Sequence, residues 1–303
     1  MGKKRIKLFQ KFSEQYTMFI DTDLYGVNLT MKTKMKLRWD FTILDIREED
    51  VEIKLLLLDH HLIFTDNPMV KESAALTKVF SRLYNELHLI IDQTGTVKKI
   101  LNLPIILAKW QDVKKEMLEI SERNPDIKNA VQLHDSIFND ETKLIQGVQY
   151  GEFFMIYFNK FFGKELPRTE QLVLPNFFKT ANVNWRYTFE TSKDHSFQNT
   201  NLIIDLNGAP STALGAGFYQ RAYGQFSNIK NISNLSTSLE EKGKYEIEEE
   251  TGRIIQAKVS KNEIADEDLY MKMTYILVND QVLKEKLKRD QDDVTVSEDI
   301  NSA

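Results

Sequence analysis

Residues 29–58 read LTMKTKMKLRWDFTILDIREEDVEIKLLLL. From Leu29 to Ile43 apolar and polar residues alternate, and only Thr33 interrupts the apolar set. Because a period of two places successive side chains on opposite faces of a strand, the pattern predicts a β-strand with one buried and one solvated face. At roughly 3.3 Å per residue such a strand spans about 50 Å, far longer than usual. A strand of this length must twist, so we expect a strongly curved sheet.

An acidic turn at Arg47–Asp50 follows this strand, and the chain then returns as a second strand. Pairing Ile46 with Val51 sets even-numbered residues opposite odd-numbered ones. The two apolar faces then coincide only if one strand contains an extra residue. We expect this β-bulge at Ile43–Leu44.

Four leucines, 55–58, end the return strand. A continuous apolar run is typical of a strand that is covered on both faces. The sequence therefore predicts a covering element at this point. A helix that begins at Pro68, capped by Asn67, is the candidate.

Composition places the chain among folded proteins with a substantial core. It has 303 residues, of which 42% are apolar and 28% charged, and its net charge of -5 argues against a nucleic-acid partner. There is no cysteine, which excludes disulfides, thiol catalysis and zinc–thiolate sites.

The N-terminus, Met1–Arg5, is basic, but no run of seven apolar residues follows. This predicts that no secretory signal peptide is present and that the protein is cytoplasmic. If an engineered start has replaced a signal peptide, the protein is instead periplasmic or secreted. No stretch approaches eighteen apolar residues, so we expect no membrane span.

Further along, helical periodicity over residues 103–162 separates two strand-rich parts, and the turns Thr94-Gly95 and Thr251-Gly252 each predict a hairpin. Residues 140–162 are expected to form one helix interrupted at Gly147 and Gly151. The aromatic stretch Phe218–Phe226 is placed among the later strands.

The predicted fold class is α+β. A large, curved antiparallel sheet of nine to eleven strands, open or like a half-barrel, carries a helical block inserted near the middle of the chain. We predict one domain over residues 1–285 and a disordered polar tail over 286–303. The expected shape is similar to the half-barrels of lipoprotein carriers, although no motif indicates membership of that family.

Catalytic and metal-binding patterns are weak in this sequence. Asp59-His60-His61 is the densest group of possible ligands, but adjacent histidines on a strand point to opposite faces. Ser227–Lys230 matches Ser-x-x-Lys without its companion motifs, and nucleophile-elbow and phosphate-loop patterns are absent. The sequence thus predicts no catalytic residue, no metal and no cofactor.

Two groups of residues are candidates for binding. The first is a row of cations on one face of the long strand, Lys32, Lys34, Lys36 and Arg38. It is either an ordinary solvated face or a docking surface for an acidic protein partner.

The second group is the aromatic cluster between Phe153 and Phe162. Its rings cover most of a helix circumference, so the helix is either buried on all sides or lines an apolar groove with Phe154, Tyr157 and Phe158.

These observations favour a non-enzymatic interaction protein, a subunit or adaptor of a larger assembly. The alternative is a carrier that holds an apolar ligand in the concavity of the curved sheet. A hydrolase without a recognisable motif is the third class.

Overall fold

The computed structural model describes residues 3–26, 29–68, 70–71, 79, 81–121, 125–193 and 201–288. Most of the described strands belong to one antiparallel sheet, and two short strands form a separate pair. The separate pair is β1 (Lys4–Arg5) and β7 (Glu165–Leu166). The large sheet contains β2 (Ser13–Gly26), β3 (Thr30–Ile46), β4 (Asp50–Thr65), β5 (Glu86–Asp92), β6 (Val97–Ile100), β8 (Arg168–Pro175), β9 (Asn182–Lys193), β10 (Asn201–Pro210), β11 (Ser238–Glu248), β12 (Ile254–Asp266) and β13 (Leu269–Asn279).

The large sheet has eleven strands in the order β6-β5-β4-β3-β2-β13-β12-β11-β10-β9-β8. It is curved and does not close, since β6 and β8 form its two edges. The first described strand of the sheet pairs with the last, β2 with β13, so the two strand-rich parts of the chain join in the middle of the sheet. This confirms the predicted α+β class with an open, curved antiparallel sheet.

The helices that follow β6 and precede β8 in the sequence pack against one face of the large sheet. This face is called the inner face below. The long helix predicted over residues 140–162 is two shorter ones. The first runs through Gly147, and Gly151 caps the second. The bounds are α1 (Leu103–Ser121), α2 (Pro125–Phe138), α3 (Glu141–Gln149) and α4 (Glu152–Tyr157); α5 (Ala216–Tyr223) follows β10.

The stretch Phe218–Phe226, placed among the strands by sequence, is helical. It forms most of α5 and a short 3₁₀ turn. Gly215 caps α5 in an extended conformation. A strand with aromatic residues on both faces and a helix with aromatic residues all around show the same pattern in sequence, because neither has a clear period. This explains the wrong prediction.

The long hairpin of β3 and β4 has the predicted register. Ile46 pairs with Val51, and Leu44 is the extra residue between the pairs of Ile43 and Asp45. Two further bulges, at Leu58 and Ile63 of β4, were not predicted. Leu58 is 40% exposed, so the leucine run is not covered on both faces along its whole length.

Phe41 of β3 lies at the centre of the contact between the helices and the sheet. Its ring centroid is 5.3 Å from that of Phe153, 4.9 Å from Tyr157 and 6.0 Å from Phe158. All the aromatic residues between Phe153 and Phe162 are buried. The cluster therefore fixes α4 and the segment after it to the inner face.

Gly95, in the turn between β5 and β6, has φ +81°, as its turn requires. A Cβ at this position would lie 2.4 Å from the side chain of Phe158, so the turn packs directly against the aromatic cluster. Gly252, in the second Thr-Gly turn, also has positive φ, at +74°. Both hairpin predictions are confirmed.

The helix predicted from Pro68 and the predicted tail lie largely outside the described residues. Residues 280–288 are helical, and the rest of the tail is not described. None of the described helices combines the length and the apolar character needed to cross a membrane.

Candidate functional site

A cavity of about 340 Å³ lies between the inner face of the sheet and the helices α3 and α4. It is open to solvent on one side and is mostly apolar. Its lining residues are Met35, Leu37, Trp39, Leu55, Leu57, His60, Ser81, Tyr84, Leu87, Gly147, Val148, Gly151, Glu152, Phe153 and Phe154. Its volume falls within the range of small-molecule sites in proteins.

The sheet wall of the cavity follows from the alternation in β3. Met35, Leu37 and Trp39 are successive inner-facing residues, and Leu57 lies directly across from Trp39 on β4. Trp39 is on the inner face, as the alternation predicts, but it is only partly buried because it borders the cavity.

The helix wall has small residues where the sheet wall has large ones. Gly147 lies in α3 and Gly151 immediately precedes α4. A Cβ built on Gly147 would meet no atom within 4 Å, so space remains open beside this position. These two glycines therefore contribute no side chain to the lining of the cavity.

Polar groups lie at the rim of this space. Glu152 is exposed at the start of α4. His60 of β4 and Ser81 also belong to the lining. The site thus combines a mostly apolar lining with a few polar residues, as is typical of ligand pockets.

Of the three residues predicted to bind an apolar ligand, Phe154 lines the cavity. Tyr157 and Phe158 form a second layer of rings behind the wall. Tyr157 stacks on Phe153 at 5.2 Å, and Phe158 lies 5.4 Å from Phe154. Sequence reasoning missed Trp39 and Phe153 as lining residues, although the inner row of β3 and the position of Phe153 beside Phe154 were visible in the sequence.

The predicted cation row divides into two parts in the structure. Arg38 donates hydrogen bonds to the side chains of Asp280, at 2.8 Å, and Gln15. Lys32 lies 3.6 Å from Asp23, whereas Lys34 and Lys36 make no ion pair with any described residue. Docking of an acidic protein partner at Lys32, Lys34, Lys36 and Arg38 stays a prediction.

The two adjacent histidines face opposite sides of β4, as predicted. His60 is across from Leu37 and lines the cavity, while His61 is across from Lys36 on the outer face. Within the described part of the chain, no three His, Asp or Glu side chains are grouped closely enough to hold a metal ion.

Buried carboxylates occur on the inner face of the other half of the sheet. Glu263 accepts hydrogen bonds from the Asn176 amide, from the backbone of Phe177 and Phe178, and from the Tyr223 hydroxyl, at 2.6–3.2 Å. It is fully buried and lines none of the described cavities. Its geometry is that of a structural anchor, since four donors already occupy its oxygens.

Glu241 forms a second buried group. Lys160 is paired with it at 2.9 Å, the Tyr187 hydroxyl donates to it at 2.9 Å, and Lys261 lies across from it on β12. Burial and the neighbouring Glu241 carboxylate raise the pKa of Tyr187, and burial lowers the pKa of Lys261. This group stabilises the contact between the loop after α4 and the sheet.

Comparison with known proteins adds the following. No known protein family and no curated protein sequence matches the chain. Among solved structures, the chain is similar to one of lipovitellin that describes lipid–protein interactions, with a TM-score of 0.40 and 10% sequence identity. The similarity covers 91% of this chain and 25% of the lipovitellin chain, so the chain spans about a quarter of that protein's length.

Proposed function

We propose that the protein is a carrier or binding protein for an apolar ligand, which it holds in the cavity between β3, β4 and β5 and the helices α3 and α4. One observation carries the proposal: the aromatic cluster that fills the rest of this interface leaves a largely apolar space of about 340 Å³ beside Trp39 and Phe154. Empty apolar space costs stability, since the residues around it lose contacts, and a ligand restores them.

The volume sets the size and affinity of the ligand. At about 30 Å³ for each water-sized group, the cavity holds roughly eleven such groups, or a chain of about ten methylenes. Transfer of ten methylenes from water contributes about 8 kcal/mol, before the cost of ordering the ligand. The dissociation constant is therefore micromolar or weaker.

A substitution at Gly147 tests the proposal. Gly147→Phe is expected to lower the affinity for an apolar dye such as Nile red at least tenfold, because the new ring enters open space beside the cavity. The fold should persist, since α3 is helical at this position and Gly is a poor helix former. Fluorescence titration measures the affinity, and thermal unfolding checks the fold.

Two controls accompany this experiment. Gly147→Ala adds only a methyl group and should keep dye binding while raising stability by up to about 1 kcal/mol. Gly215→Phe places the same ring at another glycine with open space that does not line the cavity, and should bind dye as the unmodified protein does. Equal dye affinity in a folded Gly147→Phe variant would contradict the proposed site.

A further inference from the structure

The two edge strands of the large sheet differ in how they are protected. β6 spans four residues, two of which, Lys98 and Lys99, are exposed. The Val97 N–H of this strand donates to the side chain of Gln149 in α3, at 2.7 Å. A short, charged and covered edge resists pairing with another strand. β8, at the opposite edge, spans eight residues, and no described strand pairs with its outer side.

The turn between β8 and β9 shows which backbone groups of β8 are free. The Asn176 N–H donates to the Ala181 carbonyl at 2.8 Å, so Asn176 faces β9. The register of β8 with β9 continues from this turn without a bulge. Because successive residues of a strand bond to opposite sides, Thr169, Gln171 and Val173 point their N–H and C=O groups away from β9.

The side chains beside these free groups are suited to contact with another strand. Thr169, Gln171 and Val173 are uncharged and lie on the outer face, and Val173 is 67% exposed. The one carboxylate of β8, Glu170, is already paired with Lys164 and with Arg168 of the same strand, at 2.8 and 2.9 Å. Pairing at this edge therefore brings no unpaired charge into contact.

The sequence of β8 is matched to a second copy of itself. Pro167 and Pro175 each lie four residues from Gln171. If two copies pair antiparallel with Gln171 across from Gln171, Thr169 of each copy lies across from Val173 of the other. The two prolines, which have no N–H, then end the pairing at both ends. The three pairs supply about six backbone hydrogen bonds.

Residues 194–200, which are not described, are too distant to occupy this edge. Gln171 lies across from Arg186 of β9, and Lys193 is seven residues further along that strand, roughly 23 Å away. A loop of seven residues reaches at most about 13 Å from its ends. Residues 289–303 form the other segment of this chain that could bind there, and the experiment below includes their removal.

We propose that the protein forms a two-fold symmetric homodimer in which β8 pairs antiparallel with β8 of a second copy, with Gln171 at the symmetry axis. The two large sheets then form one continuous sheet. The cavity beside β3, β4 and β5 lies toward the opposite edge of each sheet, so the dimer leaves it accessible. The interface is small, so we expect a micromolar dissociation constant.

Sedimentation equilibrium of the full chain from about 1 to 100 µM tests the dimer. The mass should rise with concentration from 35.4 kDa toward twice that value. Gln171→Pro should weaken the dimer at least tenfold, because it removes two hydrogen bonds at the axis and adds the ring of proline. The fold should persist, as circular dichroism checks, since β9 does not use this N–H. Gln171→Ala keeps the N–H and should dimerise as the unmodified protein does.

Single cysteines test the register independently, because the chain has no cysteine of its own. Gln171→Cys places two thiols across the axis with Cα atoms about 5.5 Å apart, within disulfide range, so mild oxidation should crosslink it. Val173→Cys is the matched control on the same edge. Its two copies lie about 13 Å apart along the strands and should crosslink far less.

Three results would overturn the proposal. The first is a monomer at all concentrations, including the case in which only a chain without residues 289–303 dimerises, since the tail would then occupy the edge. The second is an equally tight dimer of folded Gln171→Pro, since the interface would then lie elsewhere. The third is equal crosslinking of Gln171→Cys and Val173→Cys. None of these results bears on the proposed ligand cavity.

Discussion

A rise from pH 10 to pH 11 is expected to unfold the protein, because five tyrosines of the core must stay protonated in the folded state. Tyr16, Tyr157, Tyr187, Tyr223 and Tyr245 are each at most 1% exposed. Burial raises the pKa of every one of them above the ordinary value of 10.0. For Tyr187 and Tyr223 the adjacent carboxylates of Glu241 and Glu263 raise the pKa further.

The direction of the effect follows from linkage. A pKa that is higher in the folded state than in the unfolded chain contributes stability that is complete below pH 10 and is lost as the pH rises above it. Each tyrosine that stays protonated in the folded state favours unfolding by about 1 kcal/mol as the pH rises from 10 to 11, and the five together by roughly 5 kcal/mol. This is comparable to the whole stability of a typical protein.

Lys261 acts in the opposite direction but is a single group. Burial lowers its pKa in the folded state, so the unfolded chain holds the additional proton up to about pH 10.5 and stability rises with pH over that range. One proton offsets only a part of the five that the tyrosines release.

Circular dichroism and tyrosinate absorbance, recorded together against pH, measure this effect. Loss of structure and ionisation of the buried tyrosines should coincide in one steep transition. Tyr245→Phe should make the transition less steep by one proton, while Tyr150→Phe, at a position 78% exposed, should leave it unchanged. Gradual ionisation of all tyrosines without unfolding up to pH 12 would contradict the buried positions described above.

Replacing Glu263 by Ala is expected to lower the free energy of unfolding by about 3–5 kcal/mol. The carboxylate is 0% exposed and accepts hydrogen bonds from four donors. Without it, the backbone N–H groups of Phe177 and Phe178 and the side chains of Asn176 and Tyr223 lose a common acceptor inside the protein. The turn after β8 would then lose its connection to β12.

Chemical denaturation measures the loss, with two controls. Glu263→Gln keeps the shape and one acceptor oxygen, so it should cost less than Glu263→Ala. Glu267→Ala, at an exposed position on the turn between β12 and β13, should change the stability by less than about 0.5 kcal/mol. A loss below about 1 kcal/mol for Glu263→Ala would show that the carboxylate is not an anchor.

The part of the fold that local pattern controls could be predicted from sequence. The bulge at Leu44 is an example. Apolar residues are odd-numbered from Leu29 to Ile43, and the pairing of Ile46 with Val51 sets even-numbered residues across from odd-numbered ones. Without one extra residue, the apolar residues of the two strands would therefore lie on opposite faces. The bulges at Leu58 and Ile63 could not be located in this way. They occur where β4 extends beyond its pairing with β5, and that limit is set by tertiary structure.

The cavity could be predicted only in part. Phe154 could be predicted as a lining residue, because the aromatic residues between Phe153 and Phe162 are too many for a helix that buries only one face. Gly147 and Gly151 were interpreted as helix breaks, whereas Gly147 lies within α3 and lines the cavity. A cavity is space that packing leaves unfilled, and a single sequence does not list which side chains fail to meet.

The presence of an apolar chain beside Trp39 is tested most directly by fluorescence quenching. Of the three tryptophans, Trp39 lines the cavity, while Trp110 and Trp185 are fully buried elsewhere. A long-chain alcohol that carries bromine on its chain quenches indoles that it contacts. We expect saturable quenching in the unmodified protein and in Trp185→Phe, and none in Trp39→Phe. Absence of quenching at saturating alcohol, or equal quenching in Trp39→Phe, would contradict the proposed ligand site.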